Sequence, residues 1–191
     1  MPFPVIEIRL PRWAEDLAEA APPLAAVEDR MKLVVRAARM NVERDGGGPF
    51  AAAVFEGDTG RLVSLGVNLV QSEGLSILHA EMVALAIAQK RLGSYDLSSP
   101  GLPPCELVSS AEPCAMCLGA TPWSGVRRLV TGARAEDVES VGFDEGAKPP
   151  DWPDALAARG IEMVRDVARA DAAAVIAEYG RLGRAIYNPG R

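Results

Sequence analysis

Hydrophobic residues recur at helical spacing in some parts of the chain and in short runs in others. From Leu24 to Val42 they lie three and four positions apart, which predicts an amphipathic helix. From Ile77 to Leu92 the chain is apolar almost all round, which predicts a buried helix. Between them, Phe50–Phe55 and Arg61–Val70 are separated by a Gly- and Asp-containing turn, which predicts a hairpin.

The second half of the chain alternates between short strand patterns and helix patterns. Strands are predicted at 106–110, 127–131 and 161–165, and helices from Pro113, at 153–159 and at 168–180. With the elements before them, these give an α/β fold: a layered, mixed five-stranded sheet with helices on both faces.

Length and hydropathy set the domain organisation. We expect one domain over 24–180, since 191 residues suit a single core. Residues 1–23 are Pro-punctuated and predict an N-terminal extension with one strand-like piece at Val5–Leu10, and 181–191 form a C-terminal tail. No stretch reaches the ~20 apolar residues of a membrane span and no signal peptide is visible, so we expect a cytoplasmic protein.

The charge balance bears on the partner. Lys and Arg number 20 against 26 Asp and Glu, which gives a net charge of −6. Proteins whose main partner is a phosphate backbone usually present a basic face. The composition therefore disfavours nucleic acid as the partner.

One cluster of residue types carries candidate chemistry. His79-Ala80-Glu81 opens the buried helix, and Pro113-Cys114-Ala115-Met116-Cys117 opens the next one. Two thiolates and an imidazole suit Zn²⁺ and leave its fourth tetrahedral position for water. Glu81 is close enough in sequence to reach that water without being a ligand, which predicts a proton shuttle.

The third cysteine could in principle close the metal site. A strand rises ~3.3 Å per residue, which carries Cys105 about 15 Å or more from Cys114. We therefore interpret Cys105 as a small core residue. A redox pair or a purely structural zinc half-site remain alternatives for Cys114 and Cys117, and Glu81 argues against the structural one.

The paired motifs resemble those of the zinc deaminases of the cytidine deaminase-like superfamily, over Leu24 to the C-terminus. Ser110–Ala120 is similar to both bacterial guanine deaminases and tRNA adenosine deaminases. Gly119–Trp123 and Val141–Gly146 resemble the guanine deaminases more closely. The resemblance implies the three-layer cytidine deaminase-like fold, a zinc cofactor and a homodimer.

The resemblance also implies roles for individual residues. Asn68 would offer its amide to the base, and Phe50 and Phe143 would sandwich a planar heterocycle. An acid of the pair Asp144 and Glu145 would accept hydrogen bonds from ring N–H groups, and Glu145 would assist catalysis. Trp123 would be a pocket wall or interface residue. The tail with Tyr187 would cover an active site, with the two subunits exchanging C-termini in some members.

These inferences give a specific reaction. Zinc held by His79, Cys114 and Cys117 would supply a hydroxide, Glu81 would shuttle the proton, and a free amino-purine would lose ammonia, with guanine giving xanthine. The alternatives are a tRNA adenosine deaminase and a deaminase of another amino-heterocycle, such as a triazine, a pterin or a cytosine or cytidine. A non-enzymatic zinc domain is a further alternative.

Overall fold

A central five-stranded sheet organises the fold in a computed structural model that describes residues 2–44 and 46–188. The strands are β1 Ala51–Glu56, β2 Leu62–Val67, β3 Cys105–Ala111, β4 Arg128–Ala133 and β5 Glu162–Val164. Their order is β2-β1-β3-β4-β5, with β1 antiparallel to both its neighbours and with β3, β4 and β5 parallel. The predicted mixed five-stranded sheet is confirmed.

Helices cover both faces of this sheet. They are α1 Arg12–Glu19, α2 Val27–Glu43, α3 Val70–Glu73, α4 Ala80–Leu92, α5 Ala115–Ser124, α6 Ala135–Glu139, α7 Trp152–Ala157 and α8 Arg169–Arg181. Side chains alternate along β1, so that Ala53 and Phe55 pack with α2 and α8, whereas Ala52 and Val54 pack with α4 and α7. The three-layer arrangement follows from this alternation.

A missing side chain brings α4 close to the sheet. A Cβ atom at Gly66 of β2 would lie 2.3 Å from the carbonyl oxygen of Ala80 and 2.5 Å from the amide nitrogen of Ala84. Only glycine allows the first turn of α4 to approach the strand so closely. This contact fixes the height at which the start of α4 stands above the sheet.

The structure differs from the sequence predictions in its short elements. Residues 5–10 are not a strand, so that prediction is wrong, and α1 follows them with Ala14 buried in the main core. The second predicted strand ends at Val67 rather than Val70, because the Asn68 side chain accepts a hydrogen bond from the Val70 amide and starts α3. Helices α1, α3 and α6 were not predicted.

The domain boundaries at residues 23 and 180 stay predictions. Asp45 of the predicted loop before β1 and residues 189–191 of the predicted tail lie outside the described residues. Among the helices that the structure describes, none is both long and apolar enough to cross a membrane.

Candidate active site

Three predicted metal ligands come together where two helices begin. His79 and Cys114 are the N-cap residues of α4 and α5, and Cys117 lies in the first turn of α5. The Nδ1 atom of His79 is 3.4 Å from the Cys114 sulfur and 3.7 Å from the Cys117 sulfur, and all three donor atoms lie within 4.8 Å of one another. Two thiols and one imidazole at this spacing fit a zinc ion and leave one tetrahedral position open.

The electrostatics of the cluster favour a cation. A hydrogen bond from Cys117 lowers the pKa of Cys114 to about 4, with His79 adding to the effect. The same hydrogen bond, together with burial, raises the pKa of Cys117. Burial lowers the pKa of His79, but its hydrogen bond with Cys114 and the nearby charges raise it overall. The two thiols therefore titrate as a pair, and a bound metal ion would favour the thiolate form of both.

Glu81 lies beside the donor cluster and not within it. One of its carboxylate oxygens, Oε2, is 3.4 Å from the Cys117 sulfur, and the other accepts a hydrogen bond of 3.2 Å from the Ser109 hydroxyl. Burial and the Cys114 thiolate raise the pKa of Glu81. A buried carboxyl group with a raised pKa, next to a metal site, is suited to take up and return a proton.

The two neighbouring acids of the 144–145 pair have different surroundings. Glu145 is buried and lines the cavity, and burial raises its pKa to about 7, although Lys148 opposes the shift. Asp144 also lines the cavity but is exposed, and its Oδ1 atom accepts a 2.9 Å hydrogen bond from the Gly146 amide. The structure thus separates a buried acid that faces the cavity from an exposed acid that caps a turn.

Asn68 follows β2 and is held on its oxygen side. Its Oδ1 atom accepts hydrogen bonds from the Gly48 amide at 3.4 Å and the Val70 amide at 3.3 Å. The buried Asn41 of α2 donates to the carbonyl oxygens of Gly48 and Asn68, at 2.9 and 3.0 Å. Asn41 therefore ties together the two loops that carry Asn68 to the cavity, a role that the sequence analysis missed. A polar residue within the apolar stripe of α2 is the signal that could have revealed it.

The predicted aromatic pair forms one wall. The rings of Phe50 and Phe143 contact each other edge to face, with centroids 5.0 Å apart and planes at 71°. Phe143 also stacks on Tyr179 at 5.8 Å. Both phenylalanines line the cavity, but no heterocycle fits between rings in contact. In this structure the two rings form one wall, and the sandwich around a heterocycle stays a prediction.

The C-terminal tail reaches the cavity of its own chain. Tyr187 lines the cavity, and Asn188 accepts a 2.9 Å hydrogen bond from the Asp144 amide and donates one of 2.8 Å to the Gly142 carbonyl. Further back, the Ala185 carbonyl accepts hydrogen bonds from Gln71 at 2.7 Å and from Tyr179 at 2.5 Å. These contacts fasten the tail on both sides of Tyr187.

Two residues lie apart from the cavity. The Trp123 side chain is 86% exposed near the end of α5 and is not among the residues that line the cavity. Cys105 is buried at the start of β3 and, among the described residues, does not belong to the metal-donor cluster. The predicted core role of Cys105 agrees with its burial.

The cavity brings most of the predicted residues to one place. It also includes Glu112 and Gln71, which the sequence analysis did not single out. Glu112 accepts hydrogen bonds from Arg165 and from the Ala135 amide, and so anchors the segment that precedes Cys114. Its position directly before Pro113 is the only sequence signal it carries.

Comparisons with known proteins agree with this geometry. A sequence model of the cytidine and deoxycytidylate deaminase zinc-binding region matches residues 25–133. A guanine deaminase of Bacillus subtilis (strain 168) is 35% identical over 118 residues, 62% of this chain and 71% of that protein. A solved structure of guanine deaminase from Nitrosomonas europaea is 48% identical, has a TM-score of 0.89 and covers 93% of this chain and 97% of its own. Another solved structure, in complex with 2,6-diaminopurine, is 49% identical and has a TM-score of 0.90. It covers 95% of this chain and 96% of its own.

Proposed function

The chain belongs to the cytidine and deoxycytidylate deaminase family of zinc-binding C–N hydrolases, and we propose that its substrate is a free amino-purine base. Guanine is the base that we propose, with water as co-substrate and xanthine and ammonia as products. The observation that carries this proposal is one cavity lined by metal donors, the buried Glu81 and the buried Glu145. Its similarity to guanine deaminases over almost the whole chain supports the same substrate.

We assign the metal to His79, Cys114 and Cys117, because their donor types and mutual distances fit zinc. When bound there, zinc supplies a water molecule acidic enough to act as a nucleophile near neutral pH. The positive N-terminal ends of α4 and α5 support the thiolate form of the two sulfurs.

Glu81 is the proton carrier in this proposal. Its carboxylate accepts the proton of the attacking water and donates it to the ring nitrogen next to the amine-bearing carbon. The new C–O bond forms at that carbon. Glu81 then takes the proton of the new hydroxyl group and passes it to the amine, so that the C–N bond breaks, a carbonyl group forms and the amine leaves as ammonia. The hydroxyl group of Ser109 holds one carboxylate oxygen and thereby orients the other.

Glu145 and Asn68 orient the base. A carboxylate only accepts hydrogen bonds, and guanine presents N–H donors along its amino edge, so the buried Glu145 is the acid that we assign to the substrate. Asp144 caps the turn beside it. The Asn68 oxygen is occupied by backbone amides, which makes its Nδ2 group the donor for a ring nitrogen or carbonyl of the base.

Aromatic surfaces and the tail enclose the base. The wall of Phe50 and Phe143 packs against one face of the flat ring, and Tyr187 closes the mouth. A ribose on the base would meet the tail, which favours a free base over a nucleoside. The homodimer with exchanged C-termini and the cytoplasmic location stay predictions; within one chain the tail already reaches its own cavity.

The test is ammonia release by zinc-loaded protein from guanine, guanosine, adenine, cytosine and cytidine under one condition. We expect guanine to give a rate far above the other compounds. Activity only on a tRNA anticodon stem-loop, with no release from guanine, would replace this proposal with the tRNA adenosine deaminase alternative. The net charge of −6 argues against that outcome.

A further inference from the structure

Lys148 is the lysine of this chain whose side chain is mostly withdrawn from solvent. The sequence has three lysines, and Lys32 and Lys90 are exposed. The side chain of Lys148 is 10% exposed and donates two hydrogen bonds of 3.0 Å, one to Oε2 of Glu145 and one to the Pro113 carbonyl. A lysine is almost never buried unless it is paired, so its partners define its role.

The segment around Lys148 is fastened to the metal-bearing helix. The Ala115 amide, next to Cys114, donates a 2.9 Å hydrogen bond to the Glu145 carbonyl. Gly146 has a φ of +72°, and a Cβ atom there would lie 3.0 Å from the Cβ of Ala115. Backbone and side-chain contacts therefore hold residues 145–148 against residues 113–115.

We propose that Lys148 is a positioning residue that orients the Glu145 carboxylate toward the substrate, a role that rests on the proposed function. The ammonium group holds Oε2, which directs Oε1 toward the cavity that Glu145 lines. Lys148 is not among the described residues that line the cavity, so it acts through Glu145 and does not touch the base. The hydrogen bond from Lys148 to the Pro113 carbonyl fixes Glu145 relative to Pro113, the residue directly before Cys114.

The chemistry of the pair explains why a lysine is suited to this place. Glu145 and Glu81 are both buried acids beside the same cavity, and two nearby carboxylates repel each other when both are ionised. The ammonium group of Lys148 offsets the negative charge of Glu145 from outside the cavity lining. It thereby keeps a second acid at the cavity without placing a cation against the substrate.

A double-mutant cycle tests the proposal. The variants are Lys148→Met, Glu145→Gln and the combination of both, with Lys90→Met as the control for an exposed lysine. In the wild-type background we expect Lys148→Met to lower kcat/KM for guanine about thirtyfold, and in the Glu145→Gln background less than about threefold, because the residues act as a unit. Lys90→Met should match the wild type.

Two further measurements separate positioning from folding. The zinc content of Lys148→Met should equal that of the wild type within about a tenth of an equivalent. Its melting temperature should lie within a few degrees of the wild-type value. Equal losses in both backgrounds, no loss at all, or a large fall in zinc content would overturn the proposal. If the role of Lys148 is overturned but the wild type turns over guanine, the proposed function stands. If the wild type releases no ammonia from guanine, the proposed function and the role of Lys148 are both overturned.

Discussion

The two ends of β3 each bury a pair of glutamates, and the two pairs differ in their charged neighbours. At the arginine end, which we define by Glu56 and Glu106, Glu106 is paired with Arg30 at 2.6 Å and with Arg128 at 3.3 Å. At the cavity end, defined by Glu81 and Glu145, the carboxylate of Glu81 accepts hydrogen bonds from the Ser109 hydroxyl and the Cys117 thiol.

The pKa shifts follow this difference. Hydrogen bonds from Arg61 and Thr59 lower the pKa of Glu56, whereas burial raises the pKa of Glu81 and that of Glu145. All four side chains are buried, so burial alone does not distinguish them. At the arginine end a cation lowers the pKa of Glu56, whereas at the cavity end burial outweighs the Lys148 ammonium beside Glu145 and raises the pKa of both acids.

The sharpest way to separate the two ends is Glu81→Gln. We expect turnover of guanine to fall about 10²- to 10⁴-fold, because the amide keeps the shape but cannot carry a proton. Zinc content and melting temperature should stay at wild-type values, as metal analysis and thermal unfolding will show. Substantial residual turnover would remove Glu81 from the proton path.

The matched change at the arginine end is Glu106→Gln. It leaves Arg30 buried beside a neutral amide, which we expect to cost about 3–5 kcal/mol of unfolding free energy. Urea unfolding measures this loss, and the folded fraction should retain wild-type kcat. A variant as stable as the wild type but with reduced turnover would reverse the assignment of the two ends.

Removing residues 185–191 tests whether the tail keeps the cavity end dry. Without Tyr187 and Asn188, water reaches the aromatic wall and Glu145, and we expect kcat/KM to fall roughly tenfold as base orientation is lost. Circular dichroism should show an intact fold. An unchanged rate would exclude the tail from the active site.

The pH dependence of stability should have opposite signs at the two ends. The folded pKa of Glu56 lies below the reference 4.5, so its stabilisation is present above pH 4.5 and is lost as the pH falls through the folded value. The folded pKa of Glu145, about 7, lies above 4.5, so its contribution is present below pH 4.5 and is lost as the pH rises toward 7.

Urea unfolding between pH 3.5 and about 7.5 measures both terms. Glu56→Gln should weaken the loss of unfolding free energy that the wild type shows as the pH falls below 4.5. Glu145→Gln should weaken the gain of unfolding free energy that the wild type shows as the pH falls from neutral to mildly acid values. Profiles with the same sign for both variants would show that the two ends do not differ as the pKa values indicate.

The smallest effect is expected from the third cysteine. Cys105→Ser at the arginine end should leave zinc stoichiometry unchanged, whereas Cys117→Ser at the cavity end should lower it. Metal analysis of the two purified variants gives the comparison. Loss of zinc from Cys105→Ser would revive a closed four-ligand site.

Local patterns predicted the long elements and the metal donors. The apolar stripe of α2 and the all-apolar α4 specify burial directly, and His79, Glu81, Cys114 and Cys117 lie at spacings that a helix start brings together. By contrast, the eight-residue α1 lies in a Pro-rich segment, and the alternation of Val5–Leu10 yields a strand only where a neighbouring strand accepts its hydrogen bonds.

The contacts that complete the site could not be predicted in this way. Asn188 bonds to Asp144 across 44 residues and Gln71 to the Ala185 carbonyl across 114. No local spacing encodes such pairs, because tertiary packing alone brings them together. The direct contact of Phe50 with Phe143 is of the same kind.

The separation of the metal ligands along the chain has a consequence for assembly. His79 and Cys114 lie 35 residues apart, and β3 stands between the helices that they begin. Closing so long a loop is entropically costly before β3 has inserted between β1 and β4. An ion that binds the assembled donors therefore stabilises the whole sheet rather than one loop. Metal retention during denaturation is thus a direct report on the integrity of the entire domain.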